Sequence, residues 1–381
     1  MDRKVWKTRG ILAASLLVVA SAAVVAKQRT QEPDHIRTPI AAPAPAARPV
    51  VEIVFAIDTT GSMSGLLEGA KQTVWGIASK VAQGQPSPIL RVGLVAYRDK
   101  SDEYVTKTFA MTEDLDAVYQ ELMSYSAGGG GDGPEHVNMA MKDAIDKMSW
   151  SPGSMKMLFV VGDAPPHDDY GDGLNSRELA KRAAAAQITV HTVRCGGQVD
   201  TGAIFTELAQ LGGGKYQSIA QDGGVVAVTT PVDSKMAELN RRLTGLNMIY
   251  GGEADHRRMA TKAGIAMAAP AASAASRGSF YAASGAKMDD KDILGDAASG
   301  RVDVASLDEG MLPADMKGLS PEEKKVKVAK MAAERAEVTK ELESLTKDRN
   351  EYLKKNKPKG GFDAVVEESI TEDGAKHGIK F

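Results

Sequence analysis

Residues 50–58, VVEIVFAID, are apolar at nearly every position rather than at alternate ones. A strand carries such a run when both of its faces are buried, as in the interior of a parallel sheet. The rest of the chain must then supply helices to cover two faces, and the pattern that follows does so. Met63, Leu66, Leu67, Ala70, Val74, Ile77 and Val81 recur at helical spacing over 62–83. ILRVGLVAYR (89–98) reads as a strand and VTKTFAM (105–111) as a short one. TEDLDAVYQELMSY (112–125) reads as a helix opened by Thr112, with Asp114 and Asp116 at its positive N-terminal end. A glycine loop leads into a helix from Pro134 to about Met148. Strands at 155–163, 188–195 and 214–219 then alternate with helices at 175–187, 201–211 and 232–244. The expected class is α/β: a doubly wound, mainly parallel sheet flanked by helices, with one short strand antiparallel at an edge.

The 381 residues leave room for more than this unit. Arg3, Lys4, Lys7 and Arg9 precede an uncharged run, Gly10–Ala26, which is the charged and apolar pattern of a secretory signal. At about 17 residues the run also reaches the lower limit of a membrane span, so residues 1–26 read as a signal peptide or a retained N-terminal membrane anchor. The expected location is exported: periplasm, cell surface or membrane-anchored. Residues 27–49 are rich in Pro and Ala and read as a spacer. Residues 246–319 show little periodicity and read as a low-complexity linker. Ser320-Pro321-Glu322-Glu323 is a capping-box sequence that opens a charged helix over 320–356. Val328, Met331, Val338, Leu342, Leu345 and Tyr352 share one stripe of it, with Arg335 and Arg349 in the same seam. A weak coiled coil that self-associates and a helix docked on the main domain both fit; residues 357–381 form the tail.

A net charge of −3 gives no reason to expect nucleic acid as a partner. The single cysteine, Cys195, excludes an intrachain disulfide.

Chemistry concentrates where strands end, at the carboxyl edge of the sheet. Asp58-Thr59-Thr60-Gly61-Ser62 follows the first strand directly. Asp58, Thr60 and Ser62 place a carboxylate and two hydroxyls at alternate positions of a turn that enters a helix, a set of hard oxygen ligands suited to Mg²⁺, with Mn²⁺ or Ca²⁺ as alternatives. The same residues could instead cap that helix. Together, VVEIVFAI and DTTGSMS resemble the signature of von Willebrand factor A domains and their metal-ion-dependent adhesion site. The resemblance spans roughly 50–245 and implies a cation held by Asp58, Thr60, Ser62, a residue of a second loop and an Asp of a third. The third-loop Asp is Asp163, in LFVVGDAPPH. In the second loop many relatives have a Thr, whereas this chain reads Gly128-Gly129-Gly130-Gly131-Asp132-Gly133-Pro134-Glu135. Asp132 is the preferred equivalent and Glu135 the alternative. Either adds a negative charge, which strengthens cation binding and weakens attraction of an acidic partner. The Gly-rich loop lacks the Lys-Ser/Thr of a phosphate-binding loop.

The resemblance implies an exported, cation-dependent protein-binding module for adhesion or assembly, whose protein partner completes the metal shell with an acidic side chain. Segments LPADMKGLSPEEKKVKVAKMAAERAEVTKELESLTKDRNEYLKKN and FDAVVEESITEDGAKHGIKF are also similar to tails beside such domains in bacterial envelope proteins. No catalytic residue is assigned. A metal-assisted hydrolase using Asp58, Asp163 and His167 is the enzymatic alternative, and a scaffold with a purely structural domain is another. His167-Asp168-Asp169 reads as a polar rim, while Asp99, Asp102 and Glu103 read as surface.

Overall fold

A computed structural model describes residues 48–131, 133–225, 228–356 and 360–381. The signal or anchor segment, nearly all of the spacer, and Asp132 lie outside the described residues. No helix among the described residues is long and apolar enough to cross a membrane.

Strand β1 (Val50–Asp58) passes through a 3₁₀ turn at Gly61–Met63 into α1 (Ser64–Ala82). Strands β2 (Ile89–Tyr97) and β3 (Thr106–Thr112) precede α2 (Leu115–Ser124) and α3 (Val137–Asp146). Then come β4 (Met155–Gly162), α4 (Ser176–Ala185), β5 (Ile188–Cys195), α5 (Val199–Leu211), β6 (Gly213–Ile219) and α6 (Asp233–Gly245). The six strands lie in the order β3-β2-β1-β4-β5-β6. All neighbours run parallel except β3, which pairs antiparallel with β2 at the edge. Strand β1 sits between β2 and β4, so the winding reverses there and a crevice opens beyond its carboxyl end.

The apolar run of β1 divides between two cores. Val51, Ile53, Phe55 and Ile57 face the layer holding α1, α2 and α6, while Val54 and Ala56 face α3, α4 and α5. Strand β4 alternates in the same way, with Phe159 and Val161 on one side and Leu158 and Val160 on the other. This two-sided burial is why neither strand shows polar alternation.

The segment expected as a linker is instead folded. It carries α7 (Glu253–Ala268), α8 (Ala271–Ser284) and α9 (Ile293–Ala298). Helix α8 is almost entirely buried, and its Ala, Ser and Gly side chains allow close approach: a Cβ on Gly278 would come within 2.9 Å of Leu342 Cδ2. Such a helix has no apolar stripe to read, because small residues bury backbone rather than side chain. Helix α10 (Pro321–Asn356) docks within the chain, with Val338 and Leu342 buried in the same core as α8. The two seam arginines are paired: Arg335 with Asp292 at 2.6 Å, and Arg349 with Asp233 at 2.7 Å. The expected tail forms α11 (Phe362–Lys376), which buries Phe362, Val366 and Ile370. Its Asp373 meets His191 of β5 at 2.9 Å.

Helix α3 begins at Val137 rather than Pro134. Glu135 pairs its backbone with the neighbouring loop, donating to Pro165 O at 2.9 Å and accepting from His167 N at 3.1 Å. A backbone committed to that bridge cannot also join the helix.

Candidate metal centre

Three loops meet over the carboxyl end of β1. The first, Asp58–Met63, is tied to the second by Gly61 N to Gly129 O at 3.2 Å and Gly128 N to Thr59 O at 3.0 Å. Arg98 reinforces this tie, donating to Thr59 O at 3.0 Å and Ser126 O at 2.9 Å. The second loop is held to the third by the Glu135 bridge, and Tyr97 Oη donates to Val161 O at 3.1 Å just below Asp163.

Asp58 is fully buried. Its Oδ1 accepts from Thr60 N at 2.8 Å and Thr60 Oγ1 at 2.7 Å. Ser62 Oγ lies 3.3 Å from Thr60 Oγ1, so Thr60 Oγ1 stands between the Asp58 carboxylate and the Ser62 hydroxyl. Asp58 Oδ2 is buried with no hydrogen-bond partner. Gly162 makes room here for the Tyr97 hydroxyl, onto which a Cβ would fall, and the same Cβ would stand 3.3 Å from Asp58 Oδ2. Burial is the main force pushing the Asp58 carboxyl up to about 7, with the Asp163 charge adding to it and the Thr60 hydrogen bonds opposing it.

Glu135, the alternative second-loop ligand, turns inward. It is 3% exposed, and its Oε2 is buried without a hydrogen-bond partner. Gly130, at φ 82°, marks where it meets the first loop: a Cβ there would lie 3.3 Å from Thr60 Cβ and 3.5 Å from Glu135 Oε1. Burial, followed by the charges of Asp58, Asp99, Asp102 and Asp163, pushes Glu135 up to about 9. Asp132, the preferred equivalent from sequence, lies outside the described residues.

Asp163 is half-buried at the end of β4. Its carbonyl accepts from Thr201 Oγ1 at 3.0 Å and its Oδ2 from Gln221 Nε2 at 2.6 Å. Among the described residues no three His, Cys, Asp or Glu form a metal-binding group by themselves, so the donor set here is mixed, carboxylate with hydroxyl.

The sequence reading missed several supports. Asp99 is buried and accepts from Tyr170 Oη of the third loop, and Asp102 accepts from Gly130 N at 3.1 Å in the second, so these two brace the loops while Glu103 lies exposed as expected. His167 stacks on Tyr170 at 4.0 Å, with its Nδ1 2.8 Å from Asp169 Oδ1. Asp168 is spent on Asn138, Ser176 and Arg177. Gln221 carried no signal at all, being a lone polar residue beyond an edge strand.

Residues 52–231 match the family model described as the von Willebrand factor A domain. Over these residues the chain is similar to von Willebrand factor A domains. A putative ariadne-like RING finger protein of Acanthamoeba polyphaga mimivirus is 23% identical over 224 residues, covering 54% of this chain and 22% of that protein. The alpha-protein kinase vwkA of Dictyostelium discoideum is 29% identical over 118 residues, or 31% of this chain and 19% of the kinase. The chain thus spans about a fifth of the length of the curated relatives it matches. Among solved structures, BatB of Bacteroides thetaiotaomicron overlays with 19% identity and a TM-score of 0.35, covering 45% of this chain and 90% of BatB. Proximal thread matrix protein 1 of the mussel byssus, with a zinc-occupied adhesion-site motif, gives 9% identity and a TM-score of 0.36 over 45% of this chain and 42% of that one.

Proposed function

We propose that this chain is an exported, divalent-cation-dependent protein-binding module, with its interaction surface over the carboxyl end of β1. Similarity to von Willebrand factor A domains supports a protein-interaction role. The observation that carries the cation dependence is the pair of buried carboxylate oxygens, Asp58 Oδ2 and Glu135 Oε2, left without hydrogen-bond partners beside two hydroxyls. Buried carboxylates are costly unless paired or bound to a metal. The oxygen-only donor set fits a hard cation, Mg²⁺ first, with Mn²⁺ or Ca²⁺ as alternatives. Asp58, Thr60 and Ser62 would hold it, with Asp163 behind them and Glu135 as the second-loop ligand. The bound cation would supply a positive centre to which an acidic side chain of a partner protein adds. Glu135 neutralises part of that charge, which strengthens the hold on the cation and weakens its pull on an acidic partner. The function is recognition rather than catalysis.

Thermal unfolding of the native chain and of Asp58→Ala, each with and without Mg²⁺, tests this reading. A cation present at about 100 times its Kd adds about 2.7 kcal/mol to the native chain. Asp58→Ala is expected to lose that increment. An unfolding temperature indifferent to Mg²⁺, Mn²⁺ and Ca²⁺ in the native chain would remove the proposal.

A further inference from the structure

Gln221 stands just beyond β6, at the end of the sheet order farthest from β3, yet its side-chain amide reaches two of the three site loops. Nε2 lies 2.6 Å from Asp163 Oδ2 and 3.2 Å from the carbonyl oxygen of Ser62. Both partners are acceptors, so the amide nitrogen rather than its oxygen must face them. The two N–H bonds of one amide therefore clamp the third-loop carboxylate to the first-loop backbone.

The surroundings are shaped to put the amide there. Gly196, at φ 74°, follows β5, and a Cβ on it would fall onto Gln221 Oε1. The segment carrying Gln221 is itself fixed. Gly223 N donates to Ala220 O at 2.9 Å, and Phe362 N, at the start of α11, donates to Gly223 O at 2.9 Å. Asp222 packs so closely on the first turn of α1 that a Cβ on Gly65 would lie 2.8 Å from Asp222 Cα. The carbonyl of Asp163 is separately anchored by Thr201, so its side chain is the part left for Gln221 to orient.

We propose that Gln221 is a positioning residue of the cation site, holding Asp163 against the Asp58–Ser62 turn from a loop that supplies no ligand of its own. This rests on the cation-binding reading above. Hydrogen bonds to metal-facing carboxylates set their direction, and losing one costs about 10–100-fold in metal affinity. Gly196 acts in the same device by leaving room for the amide.

Calorimetric titration of Mg²⁺ into the full chain tests it. Gln221→Met keeps the length of the side chain and removes the donor; its Kd is expected to rise by about tenfold or more, while its metal-free unfolding temperature stays with that of the native chain. Gly196→Ala is expected to weaken Mg²⁺ binding as well. The double variant should bind no worse than the weaker single one, because both changes remove one interaction. Native affinity in Gln221→Met, or additive losses in the double variant, would overturn the assignment while the cation site itself stands. A native chain that binds neither Mg²⁺ nor Mn²⁺, or an Asp58→Ala variant that binds as well as native, would overturn both.

Discussion

Arg277 on α8 and Asp116 on α2 are 161 positions apart in sequence and form a fully buried, two-pronged ion pair. Nε meets Oδ1 at 2.7 Å and Nη2 meets Oδ2 at 2.6 Å. Nη1 completes the arrangement on α6, donating to Asn240 Oδ1 at 2.7 Å and Thr244 Oγ1 at 2.9 Å, and Tyr281 Oη donates to Asp116 at 2.9 Å. The pair joins the segment beyond α6 to the sheet-bearing domain, with all of its charges compensated.

Truncating one partner leaves the other charge buried alone. Arg277→Ala is expected to lower the unfolding free energy by about 3–5 kcal/mol, read by urea denaturation. Arg277→Lys should also be destabilised, since an ammonium cannot reproduce the planar fork. A loss confined to the rim of the experimental error would mean that α8 is not part of the cooperative fold.

The close contact between α8 and α10 makes a second demand. Gly278→Val would drive a side chain into Leu342, and overpacking of this kind costs about 1–3 kcal/mol. Pairing it with Leu342→Ala should recover part of the loss, because the two changes act on one space. Urea denaturation of the three variants reads the coupling.

Acid stability follows from Asp373. Burial alone would raise its carboxyl, but hydrogen bonds from His191 and Lys376 outweigh burial and hold it below its usual range. A carboxyl depressed in the folded state stabilises above its unfolded value, about 3.9, and that contribution is lost as pH falls through the folded value. Asp373→Asn is therefore expected to be less stable at pH 7 and to show a shallower fall in unfolding temperature between pH 5 and 3 (about one to two units around the unfolded value). Parallel curves for the two proteins would show that α11 is not held through this contact.

Without a cation, burial and the neighbouring carboxylates hold Glu135 protonated at neutral pH, at a cost to folding. Glu135→Gln removes that cost. In metal-free buffer the unfolding temperature is expected to rise by about 2–4 °C, as for a gain near 1 kcal/mol, and the further increment from Mg²⁺ should shrink. If the variant gains as much from Mg²⁺ as the native chain does, Glu135 takes no part in holding the cation.

Much of the fold was legible because burial leaves a local record. Strands β1 and β4 are apolar at nearly every position since each feeds two cores, and that pattern needs no knowledge of neighbours. Asp58 and Asp163 were legible for the same reason, as the first charged residues beyond those runs. Helix α8 was not, because a helix mostly of Ala and Ser, buried by close backbone approach, has the composition of a linker. Helix α10 could be read as docked or as a coiled coil, because the partners of its seam residues Arg335 and Arg349, Asp292 and Asp233, come from distant segments.

By itself, the amino-acid sequence determined a doubly wound sheet and a carboxylate–hydroxyl turn at the end of its central strand. Both follow from periodicity within a few residues. Only the tertiary structure turned Glu135 inward beside Thr60 and brought Gln221 to Asp163 across 58 positions of chain. Those relations depend on which loops the strand order β3-β2-β1-β4-β5-β6 places side by side, and on glycines that leave room for another segment's side chain. Neither condition is written in the neighbourhood of the residues it governs.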